Sequence, residues 1–252
     1  MIIDADTHIS PAGEDRNILA EELIDQMNKS KVEKAVCWLQ PPYMRILDAS
    51  LKYIYDSVKK YPDRLLGFGW VDPHFGIKKG RETVKRCLEE YGFYGVKLNG
   101  ALNSFAIDNE AFCFPIIEEV AKAGSILALH IGTDAYDFTH PARAANIAKK
   151  FPEMPILMVH MGGVGRPELS NICIETAEKC PNMHLIGSNV RYNGVAKAIK
   201  VLGAQRVSFG SDTPFSFMHS EVSAYKAFLG DYFTMKEQKL VMGDNIARLF
   251  KL

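Results

Sequence analysis

Short apolar runs alternate with longer amphipathic stretches along this chain, and this alternation limits the fold more than any other feature of the sequence. Such a rhythm is typical of βα units built around a parallel sheet. Eight strands are predicted, each with turn residues nearby. They are Ile2–Thr7, Lys34–Leu39, Leu65–Val71, Gly95–Asn99, Ser125–His130, Pro155–His160, His184–Ser188 and Val207–Gly210.

The stretches between the strands have apolar residues near positions i, i+3, i+4 and i+7, the pattern of helices that pack one face against a sheet. The predicted helices are Leu19–Ser30, Ile46–Lys60, Ile77–Tyr91, Ala111–Ala123, Ala142–Lys150, Leu169–Cys180, Val195–Leu202 and Glu221–Leu229. An extra C-terminal helix is predicted over Lys236–Phe250.

Eight βα units predict an α/β fold of the (β/α)8 TIM-barrel type, and the 252 residues match one barrel of roughly 250 residues. We therefore expect a single domain over residues 1–252. An open doubly wound sheet has the same rhythm, but it usually carries a glycine-rich phosphate turn after its first strand. Here the first strand ends in Asp6, Thr7 and His8, which suits a barrel with polar ligands at its mouth.

Charge and cysteine content exclude several classes of partner. Lys plus Arg and Asp plus Glu both total 30, so neither nucleic acid nor an anionic membrane is expected as a partner. The five cysteines are scattered without C-x-x-C spacing, which favours reduced thiols. The N-terminus lacks a signal-peptide pattern, and no run approaches the ~18 apolar residues of a membrane span. We expect a cytoplasmic protein with a small, anionic substrate; homo-oligomerisation stays open.

Polar side chains with metal-binding chemistry occur at the ends of four predicted strands. Asp6 and His8 are two residues apart, so strand periodicity points both to the same side; the alternative is a turn-capping aspartate beside a surface histidine. His130 and His160 both end apolar strands and precede glycine-containing turns, which is where a barrel carries its catalytic residues. A buried histidine bound to a carbonyl is the alternative for either one alone.

Asp212 follows the last predicted strand in RVSFGSD, although a helix N-cap before Thr213-Pro214 would also explain it. Together, Asp6, His8, His130 and Asp212 supply two carboxylates and two imidazoles, a reasonable ligand set for one divalent cation.

The blocks IDADTH, PDRLLGFGWVDP, GFYGVKLN, ALHIGT, MPILMVHMGG, AQRVSFGSDTPF and MGDNIARLF resemble, in order and over nearly the whole chain, the amidohydrolase-related family that includes aminocarboxymuconate semialdehyde decarboxylase. The resemblance implies that His8, His130 and Asp212 are metal ligands. It also implies that His160 is a catalytic residue near the metal, acting as an acid, base or electrophile.

Asp6 departs from the family pattern, because it stands where the first histidine of a His-x-His motif is usual. The resorcylate-type decarboxylases of the family are similar in having a carboxylate there, although theirs is glutamate. Zinc is the first expectation for the metal. The carboxylate makes the harder ions Mn and Mg arguable as well.

Other residues are expected to contact the substrate. Lys97 matches the position that holds a carbamylated lysine in other branches of the superfamily, but this family resembles the mononuclear branch, so Lys97 and neighbouring Asn99 are interpreted as substrate contacts. An ordinary salt bridge is the alternative for Lys97. Further candidates lie in the strand-end regions and loops: Arg45, Arg166, Arg191, Trp70, Tyr43 and His219.

Three functions agree with these residues. The first is a metal-dependent hydrolase in which Asp212 takes a proton from an activated water and His160 polarises the carbonyl of a lactone, ester or amide. The alternative is a non-oxidative decarboxylase of an aromatic or enoic acid, in which Asp212 protonates the carbon. The third is a metal-free barrel, either a lactone isomerase or a binding protein without catalysis.

Overall fold

The computed structural model describes residues 1–11, 17–39, 47–163 and 166–252, without the side chain of Leu47. Every pairing between its neighbouring strands is parallel. The strands are β1 (Ile3–Ile9), β2 (Lys34–Leu39), β3 (Leu65–Gly67), β4 (Gly69–Trp70), β5 (Gly95–Leu98), β6 (Ile126–His130), β7 (Ile156–Val159), β8 (Met183–Ile186) and β9 (Val207–Ser208).

Two short connections join these strands into a closed barrel. Strands β3 and β4 are separated only by Phe68, whose N–H donates to the carbonyl of Cys37 at 3.1 Å, so they occupy one position in the wall. On the other side, the N–H of Ala5 donates to the carbonyl of Phe209 at 3.0 Å. The described strands therefore fill eight positions, and the predicted (β/α)8 barrel is confirmed.

Helices surround the barrel, as the amphipathic stretches predict. They are α1 (Ala20–Ser30), α2 (Leu47–Lys60), α3 (Ile77–Lys85), α4 (Gly100–Asn103), α5 (Phe114–Lys122), α6 (Tyr136–Thr139), α7 (Pro141–Lys150), α8 (Pro167–Glu178), α9 (Tyr192–Leu202), α10 (Met218–Tyr232), α11 (Met235–Lys239) and α12 (Asn245–Phe250). Among the described helices, none combines the length and apolar character needed to cross a membrane.

The amino-terminal end of the barrel is closed by α12. Its Phe250 packs against Phe68 and Tyr94, with ring centroids 5.8 and 4.8 Å apart, and belongs to the same buried cluster as the inward-facing strand residues. Polar groups that bind ligands must therefore collect at the opposite end, where the strands end and the loops begin.

Several boundaries differ from the sequence-based expectation, among them those of β1, β9 and the C-terminal segment. Strand β1 continues to Ile9 across a register shift, whereas β9 ends at Ser208, partly because the N–H of Ser211 donates to the side chain of Asp4 instead of to a strand. The predicted C-terminal helix is broken into α11, a π-helical segment (Leu240–Asp244) and α12. Gly243 lies in this break, where a Cβ atom would approach the carbonyl oxygen of Met1 to 2.7 Å.

Candidate active site

A cavity of about 510 Å³ opens at the carboxyl ends of the strands. This volume is within the range of small-molecule sites. The described residues that line it are His8, Lys97, Asn99, Leu102, His130, Gly132, Thr133, Asp134, His160, Gly163, Asn189, Asp212 and Phe215. The structure thus brings together His8, His130, His160, Asp212, Lys97 and Asn99, which the sequence had selected from five different strand ends.

Asp6 lies beneath this cavity and is fully buried. Its Oδ1 atom is 3.5 Å from Nε2 of His8 and 3.9 Å from Nζ of Lys97, and has no hydrogen-bond donor among the described residues. Burial alone would raise the pKa of Asp6, but Lys97 and the neighbouring histidines outweigh burial and hold it well below its usual range. Asp6 is therefore an ionised carboxylate with one oxygen left without a donor.

His8 is held between two carboxylates. Its Nδ1 is 2.7 Å from the carbonyl oxygen of Leu39, so Nδ1 carries a proton, and Nε2 accepts from the indole N–H of Trp38 at 3.0 Å. Nε2 is also 3.6 Å from Oδ1 of Asp212. Burial and Lys97 oppose protonation of His8, yet Asp212 and Asp6 raise its pKa above the usual value. The surroundings of Nε2 thus favour positive charge.

His160 is joined to Asp6 through Ser188. The Oγ–H of Ser188 donates to Oδ2 of Asp6 at 2.5 Å, and Oγ lies 3.0 Å from Nδ1 of His160. The carbonyl oxygen of Ser188 is 3.2 Å from the same Nδ1. These partners occupy the Nδ1 side of the imidazole, so Nε2 is the nitrogen available to a ligand.

His130 takes a different partner from the one expected. Its Nε2 lies 2.9 Å from Oδ1 of Asp134, in the loop that follows β6. The hydrogen bond to His130 lowers the pKa of Asp134 to about 2, while burial lowers the pKa of His130 below its usual value. The rings of His130 and His160 meet edge to face, with centroids 4.8 Å apart.

Lys97 is a buried amine within the barrel mouth. Its Nζ lies 3.8 Å from the centroid of the Trp38 ring, which adds a cation–π contact to the ion pair with Asp6. Burial lowers the pKa of Lys97 to about 8. At neutral pH the ammonium therefore keeps most of its charge and presents it to the cavity.

Backbone strain concentrates around this cavity. His160, Asn189 and Asp212 have positive φ angles of 68°, 54° and 59°, although none is glycine. Such conformations cost of order 1–3 kcal/mol each and persist where the surrounding structure requires them. Here they accompany functional groups: Nδ2 of Asn189 donates to Oδ2 of Asp212 at 3.3 Å.

The donor set at the mouth fits a divalent cation. Ligand atoms of Asp6, His160 and Asp212 all lie within 4.8 Å of one another. The donor-free Oδ1 of Asp6 is explained if a cation binds between these carboxylates. These three residues together form a reasonable metal site. His160 therefore lies closer to the expected metal position than the sequence-based assignment implied.

Four predicted substrate contacts lie outside the described wall of this cavity. Trp70 is completely buried and donates its indole N–H to Asn103, so it is a core residue. Arg166 and His219 are exposed, and Arg191 lines a separate pocket of about 150 Å³ that shares Gly163 with the main cavity. Tyr43 and Arg45 lie outside the described residues.

The sequence-based reasoning missed Asp134, Ser188 and Asn189. Each follows, or ends, a predicted strand at the carboxyl end of the sheet. The rule that selected His130 and His160 could have selected them, but serine and asparagine are common in turns of every kind, and an aspartate four residues after a histidine is a weak signal.

A family model described as "Amidohydrolase" matches residues 3–252, from the start of β1 to the end of the chain. The chain belongs to the amidohydrolase family. This assigns it to a group of enzymes and confirms the resemblance seen in the sequence blocks. A gamma-resorcylate decarboxylase from Polaromonas sp. (strain JS666 / ATCC BAA-500) is 26% identical, in a match that covers 79% of this chain and 74% of that one.

Solved structures of amidohydrolase-like barrels share the fold. A 5-carboxyvanillate decarboxylase from Novosphingobium aromaticivorans DSM 12444, complexed with manganese and a nitrobenzoic acid, has a TM-score of 0.82 at 18% identity, over 100% of this chain and 96% of that one. A dihydroxybenzoic acid decarboxylase from Polaromonas sp. JS666, with manganese and 2-nitroresorcinol, has a TM-score of 0.77 at 20% identity, over 100% and 97%.

These comparisons correct the expected reaction. The leading hypothesis from the sequence, a hydrolase that activates water against a lactone, ester or amide, is wrong: the similar protein from Polaromonas sp. is a gamma-resorcylate decarboxylase, and the two solved structures described above are decarboxylases as well. The strand-end residues could not separate the two reactions, because both use a metal held by the same carboxylates and histidines.

Proposed function

We propose that this amidohydrolase-family protein is a metal-dependent, non-oxidative decarboxylase of a hydroxylated aromatic carboxylic acid. The observation that carries the proposal is the buried, donor-free Oδ1 of Asp6, placed under the cavity among His8, Lys97 and Asp212. The likeness to a gamma-resorcylate decarboxylase supports it, and a carboxylate at position 6 resembles the resorcylate-type pattern.

Asp6, His8, His130 and Asp212 would hold one divalent cation, which would replace the present Nε2 partners of the two histidines, Trp38 at His8 and Asp134 at His130, and we propose manganese. Carboxylates suit Mn and Mg better than they suit zinc, and two of the four ligands are carboxylates. When bound, the cation would act as a Lewis acid toward an oxygen of the substrate. Oδ1 of Asp6 is the ligand atom that the structure leaves most clearly free, because Oδ2 already accepts from Ser188.

Lys97 and Asn99 would bind the anionic substrate. The Lys97 ammonium lines the cavity and is held by Asp6 and Trp38. The Asn99 side chain accepts the N–H of Leu102 at 3.0 Å through Oδ1, so its amide N–H₂ remains to donate. A single-ring acid matches a cavity of about 510 Å³, and Phe215, at 5.5 Å from the His8 ring, supplies an apolar face.

The chemical step replaces a carboxylate by a proton. The bond between the ring carbon and the carboxylate breaks, its electron pair stays on the ring carbon, and carbon dioxide leaves. The side chain of Asp212, held in place by Asn189, would take up a proton from solvent and deliver it to that carbon. Nε2 of His160 would hydrogen-bond a ring hydroxyl and orient the ring over the proton donor.

Carbon dioxide release tests this proposal directly. The purified protein, loaded with Mn²⁺, is incubated with 2,6-dihydroxybenzoate, 5-carboxyvanillate and related hydroxybenzoates, and the gas and the decarboxylated phenol are measured. We expect turnover with at least one acid, loss of turnover on chelation, and better recovery with Mn²⁺ than with Zn²⁺. Turnover that survives complete metal removal would contradict the proposal and favour the metal-free alternative.

Replacing the proton donor gives a second arm of the same test. Asp212→Asn should lower kcat roughly 10²–10⁴-fold, the usual contribution of a general acid. Asp244→Asn, which removes one carboxylate from the exposed surface of the C-terminal segment, is the control and should keep wild-type turnover. Equal losses in both variants would show that the effect is not specific to the cavity.

A further inference from the structure

The side chain of Ser188 lies completely buried at the point where β8 leads into its loop. Its hydroxyl is in contact with two groups of the candidate site at once: Oδ2 of Asp6 at 2.5 Å and Nδ1 of His160 at 3.0 Å. Asp6 and His160 come from β1 and from the end of β7, and their own closest approach is 3.7 Å. Ser188 therefore links two strand ends that are far apart in sequence.

The hydrogens around this hydroxyl can be assigned from simple counting. A serine hydroxyl has one hydrogen to donate and two lone pairs that accept. The contact of Oγ with Oδ2 of Asp6 is the shorter of its two hydrogen bonds, at 2.5 Å against 3.0 Å, and a carboxylate oxygen accepts, so the Ser188 hydrogen goes to Oδ2. Oγ then accepts from His160, and the Ser188 carbonyl oxygen, 3.2 Å from the same nitrogen, accepts as well. Nδ1 of His160 is thereby the protonated nitrogen.

We propose that Ser188 is a positioning residue for both partners. By engaging Oδ2, it leaves Oδ1 of Asp6 as the single free oxygen toward the cation; by fixing the Nδ1–H tautomer, it presents the Nε2 lone pair of His160 to the substrate. The inference rests on the proposed function, because it assigns Ser188 a part in holding that cation and in that reaction.

The surrounding packing keeps Ser188 in this place. The hydroxyl of buried Tyr225 donates to the carbonyl oxygen of Gly187 at 2.6 Å and so fixes the strand end just before Ser188. Gly210 leaves the room that the contact needs: a Cβ there would lie 2.9 Å from Cβ of Asp6 and 3.2 Å from Cβ of Ser188. The three-group contact is thus built into the barrel.

Manganese binding by the purified metal-free protein is the first readout, and it does not require turnover. Replacing a residue that hydrogen-bonds a metal ligand typically costs 10–100-fold in affinity or activity. We expect Ser188→Ala to bind Mn²⁺ about 10–100-fold more weakly than wild type. Ser188→Cys, whose thiol is a weak donor of similar shape, should fall between the two.

The division between kcat and KM is the second readout. Ser188→Ala should lower kcat while KM changes less than about threefold, since Lys97 and Asn99 still bind the substrate. Ser57→Ala is the matched control: Ser57 is also buried, and its hydroxyl donates to a helix carbonyl oxygen of Tyr53 away from the cavity. This control should leave Mn²⁺ affinity and kcat unchanged, and circular dichroism should show all variants folded.

The outcomes separate this inference from the proposed function. If wild type binds Mn²⁺ and releases carbon dioxide, but Ser188→Ala and Ser188→Cys equal it in affinity and kcat, the role of Ser188 is refuted and the decarboxylase proposal stands. If wild type neither binds Mn²⁺ nor turns over any hydroxybenzoate, the proposed function fails and the inference fails with it.

Discussion

Lys97 is the residue whose burial is hardest to explain without a ligand. Its side chain is 1% exposed, and moving an ammonium out of water costs several kcal/mol unless partners compensate for the lost hydration. Asp6 and the Trp38 ring supply part of that compensation, at 3.9 and 3.8 Å. An anionic substrate in the cavity would supply the rest.

We predict that Lys97→Met lowers kcat/KM for a hydroxybenzoate by about 10–100-fold, the usual range for losing one charge-assisted hydrogen bond. Most of the loss should appear in KM. The product phenol, which lacks the carboxylate, should inhibit Lys97→Met nearly as well as it inhibits wild type. A parallel loss of phenol binding would indicate that Lys97 supports the cavity rather than the carboxylate.

Single residues of the site could be predicted where the strand end itself fixes the side chain. His8, His130, His160, Lys97 and Asp212 all follow from that rule, and all line the cavity. The arginines could not be placed in the same way, because the direction of a loop side chain depends on the backbone conformation of the loop, which the sequence pattern does not determine. Arg166 accordingly lies on the surface and Arg191 in the adjacent pocket.

At the scale of elements, the contact between β1 and β9 closes the barrel and also brings Asp6 next to Asp212. Oδ1 of Asp4 accepts the N–H of Asp6 at 3.1 Å and the N–H of Ser211 at 2.9 Å, and so joins the two strand ends. Oδ2 of Asp4 is buried and has no hydrogen-bond partner among the described residues. Burial raises the pKa of Asp4 from 3.8 to about 7.

This shift predicts how stability changes with pH. A carboxyl whose pKa is raised by folding binds a proton more readily when folded, so its contribution is fully present below pH ~4 and is lost as pH rises toward ~7. Because the asparagine side chain in the Asp4→Asn variant cannot ionise, the free energy of unfolding of that variant should not fall for this reason over the same pH range. The free energy of unfolding of wild type should therefore fall relative to Asp4→Asn between pH 4 and 8, by a few kcal/mol at about 1.4 per pKa unit.

Urea unfolding of both proteins across this pH range measures the difference. If the difference in the free energy of unfolding between the two proteins stays constant with pH, the assignment of a raised pKa to Asp4 is contradicted.

The contact between β1 and the residues that follow β9 was not predictable from sequence. Periodicity identifies that a strand exists near Val207, but not that Ser211 leaves the ladder to bind a buried carboxylate.

For the whole molecule, hydrophobic periodicity was sufficient to predict the barrel, because each predicted strand and helix has to bury one face and eight such units leave few arrangements. The helix interruption at Leu240–Asp244 was not predictable, since it accompanies tertiary contacts: the carbonyl oxygen of Val241 accepts the N–H of Phe209, and a Cβ at Gly243 would lie 2.7 Å from the carbonyl oxygen of Met1. The reaction was not predictable either. A metal site of carboxylates and histidines serves hydrolysis and decarboxylation alike, and comparison with related proteins decided against hydrolysis.

Decarboxylation in heavy water is the most direct test of the central claim. The Mn²⁺-loaded protein is incubated in D₂O with the best hydroxybenzoate, and the product is examined by mass spectrometry and proton NMR. We expect one deuterium on the ring carbon that lost the carboxylate, together with one equivalent of carbon dioxide. A product that instead contains oxygen from the solvent, with the carboxylate still attached, would contradict the decarboxylase account.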